Sequence, residues 1–443
     1  MAQTFDLLIR GGTVVNQDGI DRADVGVRDG RFAAIGDLSA ASAGETIDAK
    51  GLHVLPGVID TQVHFREPGM EHKEDLESGT RGAVLGGVTA VFEMPNTKPL
   101  TDTAEAIADK LARAAGRAWC DHAFFVGATA QNAERLGELE RLPGCCGVKI
   151  FMGASTGDLL VPDDPTLARV LAHGRRRVAV HAEDEERMKA RRGLAEVDHD
   201  PANHPHWRDV ESARLATERL LRLARAARRP VHVLHVTTAD EIPLLAANKD
   251  LATMEVTPQH LTLEAPDCYA RLGTRAQMNP PIRDARHRSA LWQAVRQGIV
   301  DVLGSDHAPH TLEEKAKPYP QSPSGMTGVQ TLLPLMLDHV AAGRLSLQRL
   351  VDLTSAGPQR IYGLAGKGRM AVGYDADVTL VDLKAKRVIE ARWIASKSGW
   401  TPFDGVSVTG WPVGTIIRGR PVMRDGALAD APAGQPVRFV DTL

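Results

Sequence analysis

The chain reads as an α/β protein, a (β/α)8 TIM barrel carrying a small β-sandwich formed by both chain ends. Three observations predict this. Eight apolar, β-branched runs recur at 58–65, 89–94, 122–127, 147–152, 178–183, 231–236, 252–256 and 300–304. Most are separated by stretches rich in Ala, Leu, Glu and Arg with helical texture, such as 103–115 and 210–227. Both ends differ from this middle, reading as short strands broken by glycine turns. No Gly-x-Gly-x-x-Gly follows the first run, which disfavours a doubly wound sheet, and eight is the barrel number.

At the N-terminal end, 5–10, 13–15, 24–27 and 32–35 read as strands, with hairpin turns at Asp18-Gly19 and Asp29-Gly30. At the C-terminal end, 377–382 and 414–426 read as strand, then strand-turn-strand. The expected division is 1–54 and 366–443 as the two parts of the sandwich, and 55–365 as the barrel.

Among 443 residues, 43% are hydrophobic and 25% charged, an ordinary balance for a globular protein. A net charge of −3 gives no electrostatic case for nucleic acid or an anionic membrane. No apolar run approaches the ~18 residues that span a bilayer. The opening Met1-Ala2-Gln3-Thr4-Phe5-Asp6 lacks the basic and apolar regions of a signal peptide. Cys120, Cys145, Cys146 and Cys268 lack zinc-knuckle spacing and are too few for a disulfide scaffold. A reduced, cytoplasmic protein is expected.

The chemistry collects at the strand ends, where barrels of this class carry their active sites. Pro56-Gly57-Val58-Ile59-Asp60-Thr61-Gln62-Val63-His64-Phe65-Arg66 is a buried strand ending in imidazole and guanidinium, and Pro68-Gly69 then forces a turn. Such groups are costly to desolvate unless a metal, anion or substrate pairs with them. Strand two runs into Met94-Pro95-Asn96-Thr97, strand four carries Lys149, and strand five ends in His181-Ala182-Glu183. Strand six holds His232 and His235, and strand eight runs into Ser305-Asp306-His307-Ala308-Pro309-His310. Each alone has a structural explanation: a hydrogen-bonded histidine, a snorkelling lysine, a capping aspartate. Together, His64, Lys149, His181, His235 and Asp306 at one barrel mouth point to a metal site. Three imidazoles and a carboxylate suit Zn2+, with Mn2+, Co2+ or Fe2+ allowed by ligand type.

These motifs resemble the amidohydrolase superfamily, specifically its dihydroorotase branch. The likeness extends through Gly147-Val148-Lys149-Ile150-Phe151-Met152, Val256-Thr257-Pro258-Gln259-His260-Leu261, Asn279-Pro280-Pro281-Ile282-Arg283 and Thr401-Pro402-Phe403-Asp404-Gly405, covering nearly the whole chain. The resemblance implies reversible ring opening of dihydroorotate to N-carbamoyl-aspartate in pyrimidine synthesis. It implies that His64, His181, His235 and Asp306 hold one or two metal ions, with Lys149 bridging them as a carbamate formed from CO2. A metal that brings the pKa of water down to ~7 would supply the nucleophile. Asp306 would take its proton and later protonate the departing nitrogen. Arg66, Asn96 and His310 would bind the substrate carboxylate, and Asn279 the pyrimidine ring. Hydantoinases and allantoinases share the metal site but generally lack the arginine two residues after the strand-one histidine.

Two positions leave the family pattern. Gln62 stands where the first histidine of His-x-His is usual, so it is a weak or absent ligand. Gln259 stands in a usual His-His pair. Two alternatives accompany the dihydroorotase reading: a hydantoinase or allantoinase, and a non-catalytic dihydroorotase-like scaffold for aspartate transcarbamoylase. A homo-oligomer, dimer or tetramer, is expected. Asp60 reads as a strand-end hydrogen-bonding residue, and His232 as facing the helices or barrel wall. His204, His206 and Trp207 read as a loop beside the mouth. The Pro-rich stretch 311–327 reads as a lid, with Glu313, Glu314, Lys315 and Lys317 as solvated charges.

Overall fold

Eight parallel strands form one sheet in consecutive order: β1 (Val58–Val63), β2 (Val88–Glu93), β3 (Asp121–Gly127), β4 (Cys145–Phe151), β5 (Val178–His181), β6 (Val231–Val233), β7 (Ala252–Val256) and β8 (Val302–Leu303). The structure is a computed structural model and describes residues 4–155 and 159–443. Part of the signal-peptide reading, at residues 1–3, lies outside them. All eight expected runs are strands, shorter than expected by a residue or more at several C-terminal ends. There the chain leaves the ladder to present the site. The sheet closes where Val63 bridges His307 in parallel and His64 N–H donates to the His307 carbonyl at 2.7 Å.

The helix Val210–Ala227 spans the expected residues, with the Asp209 side chain accepting from Ser212 N–H at its N-terminus. Ala104–Ala114 is capped in the same way by Thr103. Helical faces and outward strand residues form the outer core, including Val148, Ile150, Leu220 and Leu291. Among the described residues, no helix is long and apolar enough to cross a membrane.

The N-terminal residues form one sheet by themselves and meet the C-terminal end in a second. Thr4–Arg10 pairs with Asp24–Arg28 and, in parallel, with Ser42–Asp48. In the second sheet, His53–Pro56 lies between Thr13–Asn16 and Val378–Val388, the latter continuing into Ser407–Ile417. The chain then enters β1 through Gly57, where a Cβ would meet Thr89 Oγ1 at 2.2 Å. Only glycine leaves room here for the Thr89 side chain and for Asp377, whose Cβ would lie 2.8 Å away.

Aromatic rings fill the barrel floor. Phe92 packs edge-on against Phe125 and Tyr362, with centroids 6.3 and 5.2 Å away. Phe439, from the C-terminal segment, completes the cluster at 6.1 Å from Phe92. Truncating this buried ring removes transfer energy and leaves a cavity. Phe439→Ala is expected to cost about 3–5 kcal/mol in denaturant unfolding.

Candidate active site at the barrel mouth

Strand β1 shows how the mouth is assembled. Ile59 belongs to the inner core and Val63 to the outer one, although strict alternation would put both on the same face. A register shift between Asp60 and Val63 accounts for it: the ladder pairs Asp60 with Val91 but Val63 with Glu93. This extra residue re-aims the strand end so that Gln62 and His64 both line one cavity. Asp60 holds the bend, accepting from the N–H groups of Gln62 (3.2 Å) and Ser305 (2.9 Å).

Lys149 and Phe151 on β4, His181 at the end of β5, His235 and Asp306 line the same cavity, with Asn279, Ser155 and Ser324. Three candidate residues hold unusual backbone: Arg66, His235 and Asp306 have φ of 66°, 36° and 45°. Left-handed backbone at non-glycine residues costs energy and persists only where surrounding structure enforces it.

The imidazoles are oriented from behind. His64 Nδ1 lies 2.8 Å from Asn96 Oδ1, so that nitrogen carries the proton and Nε2 is bare. The bare nitrogen stands 3.3 Å from Asp306 Oδ1. His181 Nε2 donates to Glu183 at 2.8 Å, leaving its Nδ1 bare, 3.1 Å from His235 Nε2. Glu183 is in turn gripped by the Arg208 guanidinium. Burial holds all three imidazoles below their ordinary pKa and therefore neutral.

Burial raises Asp306 to about 6, against the pull of Lys149. Gln62 Nε2 donates to Asp306 Oδ1 at 3.1 Å, while Gln62 Oε1 has no partner among the described residues. Gln259 donates to the Ser305 carbonyl at 2.7 Å, one residue before Asp306. Lys149 is pushed down to about 7, burial outweighing its attraction to Asp306. Its Nζ sits 4.5 Å from the Phe151 ring centroid and has no hydrogen-bond partner among the described residues.

A bare imidazole nitrogen facing a carboxylate oxygen is two acceptors without a hydrogen, an arrangement that a cation relieves. The 3.1 Å between His181 Nδ1 and His235 Nε2 is close to the spacing of two nitrogens on one tetrahedral ion with ~2.0–2.1 Å bonds. Among the described residues, no three His, Cys, Asp or Glu side chains stand together at ligand spacing. The donors come as two pairs sharing a cavity with Lys149, and this set fits a cation when the lysine supplies an anionic oxygen.

Arg66, Asn96 and His310 are buried beside this cavity and are not among the residues that line it. Asn96 is engaged by His64. Arg66 is 2% exposed, and its Nε donates to the Pro309 carbonyl at 3.2 Å. Among the described residues no carboxylate oxygen lies within 4.0 Å of its guanidinium. Burial lowers Arg66 to about 10, so it remains a cation at neutral pH. Asn279 Oδ1 lies 3.0 Å from His204 Nε2, which ties the ring-binding candidate to the short helix His204–Trp207.

A match to the amidohydrolase family model covers residues 53–422. The chain belongs to the amidohydrolase family. It is 39% identical to a dihydroorotase of Halobacterium salinarum, over 94% of this chain and 98% of that protein. It is also 38% identical to an allantoinase of Rubrobacter xylanophilus, over 98% of each. Among solved structures, the L-hydantoinase (dihydropyrimidinase) of Arthrobacter aurescens superposes with a TM-score of 0.93 at 32% identity, covering 98% of this chain and 99% of that one.

Several parts of this amidohydrolase mouth escape a reading of residues one at a time. The stretch expected as a loop at His204, His206 and Trp207 contains a helical turn. Lys315, expected as solvated, is buried, its Nζ donating to the carbonyls of Gln277 (3.3 Å) and Pro323 (2.7 Å). Glu314 pairs with Lys73 at 2.9 Å rather than with water alone. Gly325 lets this stretch lie on the loop after β8, where a Cβ would meet the Ala308 carbonyl at 2.4 Å. His232 is buried against Thr253, Glu255 and Tyr362. His307 anchors the mouth through Glu74 and the Gly328 N–H. Glu183 and Arg208 had no signal beyond the carboxylate two residues after His181.

Glu183 is buried, and burial alone would raise its pKa, but Arg208 and His181 together hold it well below the usual range. Its pairing therefore contributes fully above the unfolded carboxylate pKa of ~4.3 and is lost as pH falls. Arg208→Met leaves a buried charge uncompensated and is expected to cost ~3–5 kcal/mol at pH 7. Urea unfolding at several pH values should show the gap to the parent protein narrowing below about pH 4.

Proposed function

We propose that this amidohydrolase is a dihydroorotase, opening the cyclic amide of dihydroorotate to N-carbamoyl-L-aspartate and closing it in reverse. The observation that carries the choice is Arg66, a buried cation with no carboxylate within ion-pair distance among the described residues, beside the cavity of His64, His181, His235 and Asp306. A buried guanidinium without a counter-ion is costly, and a planar carboxylate relieves that cost with two parallel hydrogen bonds. Dihydroorotate carries such a carboxylate on its ring; hydantoin and allantoin do not.

In this reading His64, His181, His235 and Asp306 hold one or two divalent ions, zinc by preference, with Gln62 a weak ligand or none. Lys149 supplies the anionic oxygens as a carbamate. A buried amine titrating near 7 is substantially unprotonated, the form that reacts with CO2. When bound, the ion polarises the ring amide carbonyl and lowers the pKa of water. Asp306 takes the proton from the attacking water and returns it to the departing ring nitrogen. Asn279 faces the ring, and Arg66 with His310 the carboxylate. Asn96 acts on His64 in this structure, so its share in carboxylate binding would require a second contact. The reading places the protein in pyrimidine biosynthesis, in the cytoplasm and as a homo-oligomer, with aspartate transcarbamoylase a candidate associate. All four cysteines are free and buried, in keeping with a reducing compartment.

The test is purified protein with dihydroorotate, followed by loss of ultraviolet absorbance, with metal analysis of the same sample. Turnover is expected. None with Zn2+, Mn2+ or Co2+ supplied would defeat the proposal and favour the scaffold reading, whereas preference for hydantoin or allantoin would defeat the Arg66 argument. Gln62→His adds an imidazole where an amide now faces Asp306. It is expected to raise metal affinity or stoichiometry in equilibrium dialysis, and unchanged binding would place Gln62 away from the ion.

A further inference from the structure

His310 sits between two cations, and its hydrogen bonds leave a choice of tautomer. Its Nδ1 lies 3.1 Å from Lys73 Nζ and 3.6 Å from Glu314 Oε2. Its Nε2 lies 3.0 Å from the Ser324 carbonyl and 3.2 Å from Arg66 Nη2. Burial, with the Arg66 charge beside it, keeps the ring neutral, so one nitrogen donates and the other accepts. An ammonium can only donate. Facing Lys73, Nδ1 must accept, and Nε2 then carries the proton toward Ser324. That tautomer makes two hydrogen bonds, at 3.1 and 3.0 Å. The other would gain the Arg66 contact and a long approach to Glu314, but would set an N–H against the ammonium and a lone pair against the Ser324 carbonyl.

We infer that Lys73, held by Glu314, is a positioning residue that fixes the His310 tautomer and so keeps Arg66 free for an anionic ligand. This rests on the carboxylate-binding reading of Arg66 above. With Nε2 protonated, His310 cannot accept from Arg66, and the adjacent N–H groups of Arg66 and His310 converge as donors. A substrate carboxylate can take both, displacing the Ser324 carbonyl from His310. Without Lys73 the ring can reverse, accept from Arg66 and occupy the guanidinium that the carboxylate needs. Glu314 ties the device to the 311–327 stretch. Its carboxylate pairs with Lys73 at 2.9 Å and also accepts from the Thr311 N–H at 3.2 Å in a capping box.

The experiment pairs nitrogen-15 NMR of histidine-labelled protein with steady-state kinetics, and His310→Asn identifies the ring signals. The parent protein should show the Nε2–H tautomer at His310, and Lys73→Met should move it toward Nδ1–H. In the same variant, KM for dihydroorotate and the inhibition constant of orotate should rise tenfold or more, with kcat within about threefold. Lys73→Arg, which keeps a cationic donor, should restore most of the affinity. Should Lys73→Met fail to fold, Glu314→Gln, which frees Lys73, is expected to move tautomer and KM in the same direction by less. An unchanged tautomer or an unchanged KM overturns the inference. A parent protein that neither turns over dihydroorotate nor binds orotate overturns the functional reading instead, and the tautomer measurement still decides the role of Lys73.

Discussion

The structure turns on the cost of holding the Arg66 guanidinium and the Lys149 amine out of water with, among the described residues, no carboxylate within ion-pair distance of either. Guanidinium and ammonium are among the most expensive groups to bury, and a fold that only needed stability would pair or expose them. Lys110 with Glu93 and Arg229 with Glu140 are buried cations paired with carboxylates, whereas buried Lys315 is held by the carbonyls of Gln277 and Pro323. At the mouth, Arg66 and Lys149 feel Asp306 and other carboxylates only beyond ion-pair distance. In the proposed reading, an anion completes this region at Arg66 and carboxylation does so at the amine of Lys149.

Neighbouring devices make sense against that requirement. Glu183 and Arg208 hold His181 with one nitrogen bare, and Asn96 does the same for His64. Gln62, where the family pattern has an imidazole, donates to Asp306. Gln259, the other departure, grips the carbonyl beside the same aspartate. Both glutamines therefore bear on Asp306, the one carboxylate expected to move protons.

The comparisons leave the substrate to be argued from such detail, because dihydroorotase, allantoinase and hydantoinase relatives all match nearly the whole chain. The barrel is common ground for these relatives. In the proposed reading, what separates them is the group that recognises the rest of the ring, here a guanidinium with no carboxylate within ion-pair distance among the described residues.

Much of this was legible in the residues alone. The eight strands are apolar and β-branched, and a period of two or a continuous apolar run survives without knowledge of neighbours. The histidines, Lys149 and Asp306 were legible because polar groups stand out at the ends of such runs. The bulge in β1 was not, since an inserted residue is defined by the partner strand, and alternation alone would have put Ile59 and Val63 on one face. Nor were the pairing of His53–Pro56 with Val378–Val388, the burial of Lys315, or the contacts of Lys73 with Glu314 and His310, each joining residues far apart in the chain. The sequence by itself determined which chemical groups the mouth contains and that strand ends carry them. Only the tertiary structure decided which nitrogen of His64 and of His181 is bare, and that Arg66 has no carboxylate within ion-pair distance among the described residues, because both depend on contacts across the barrel.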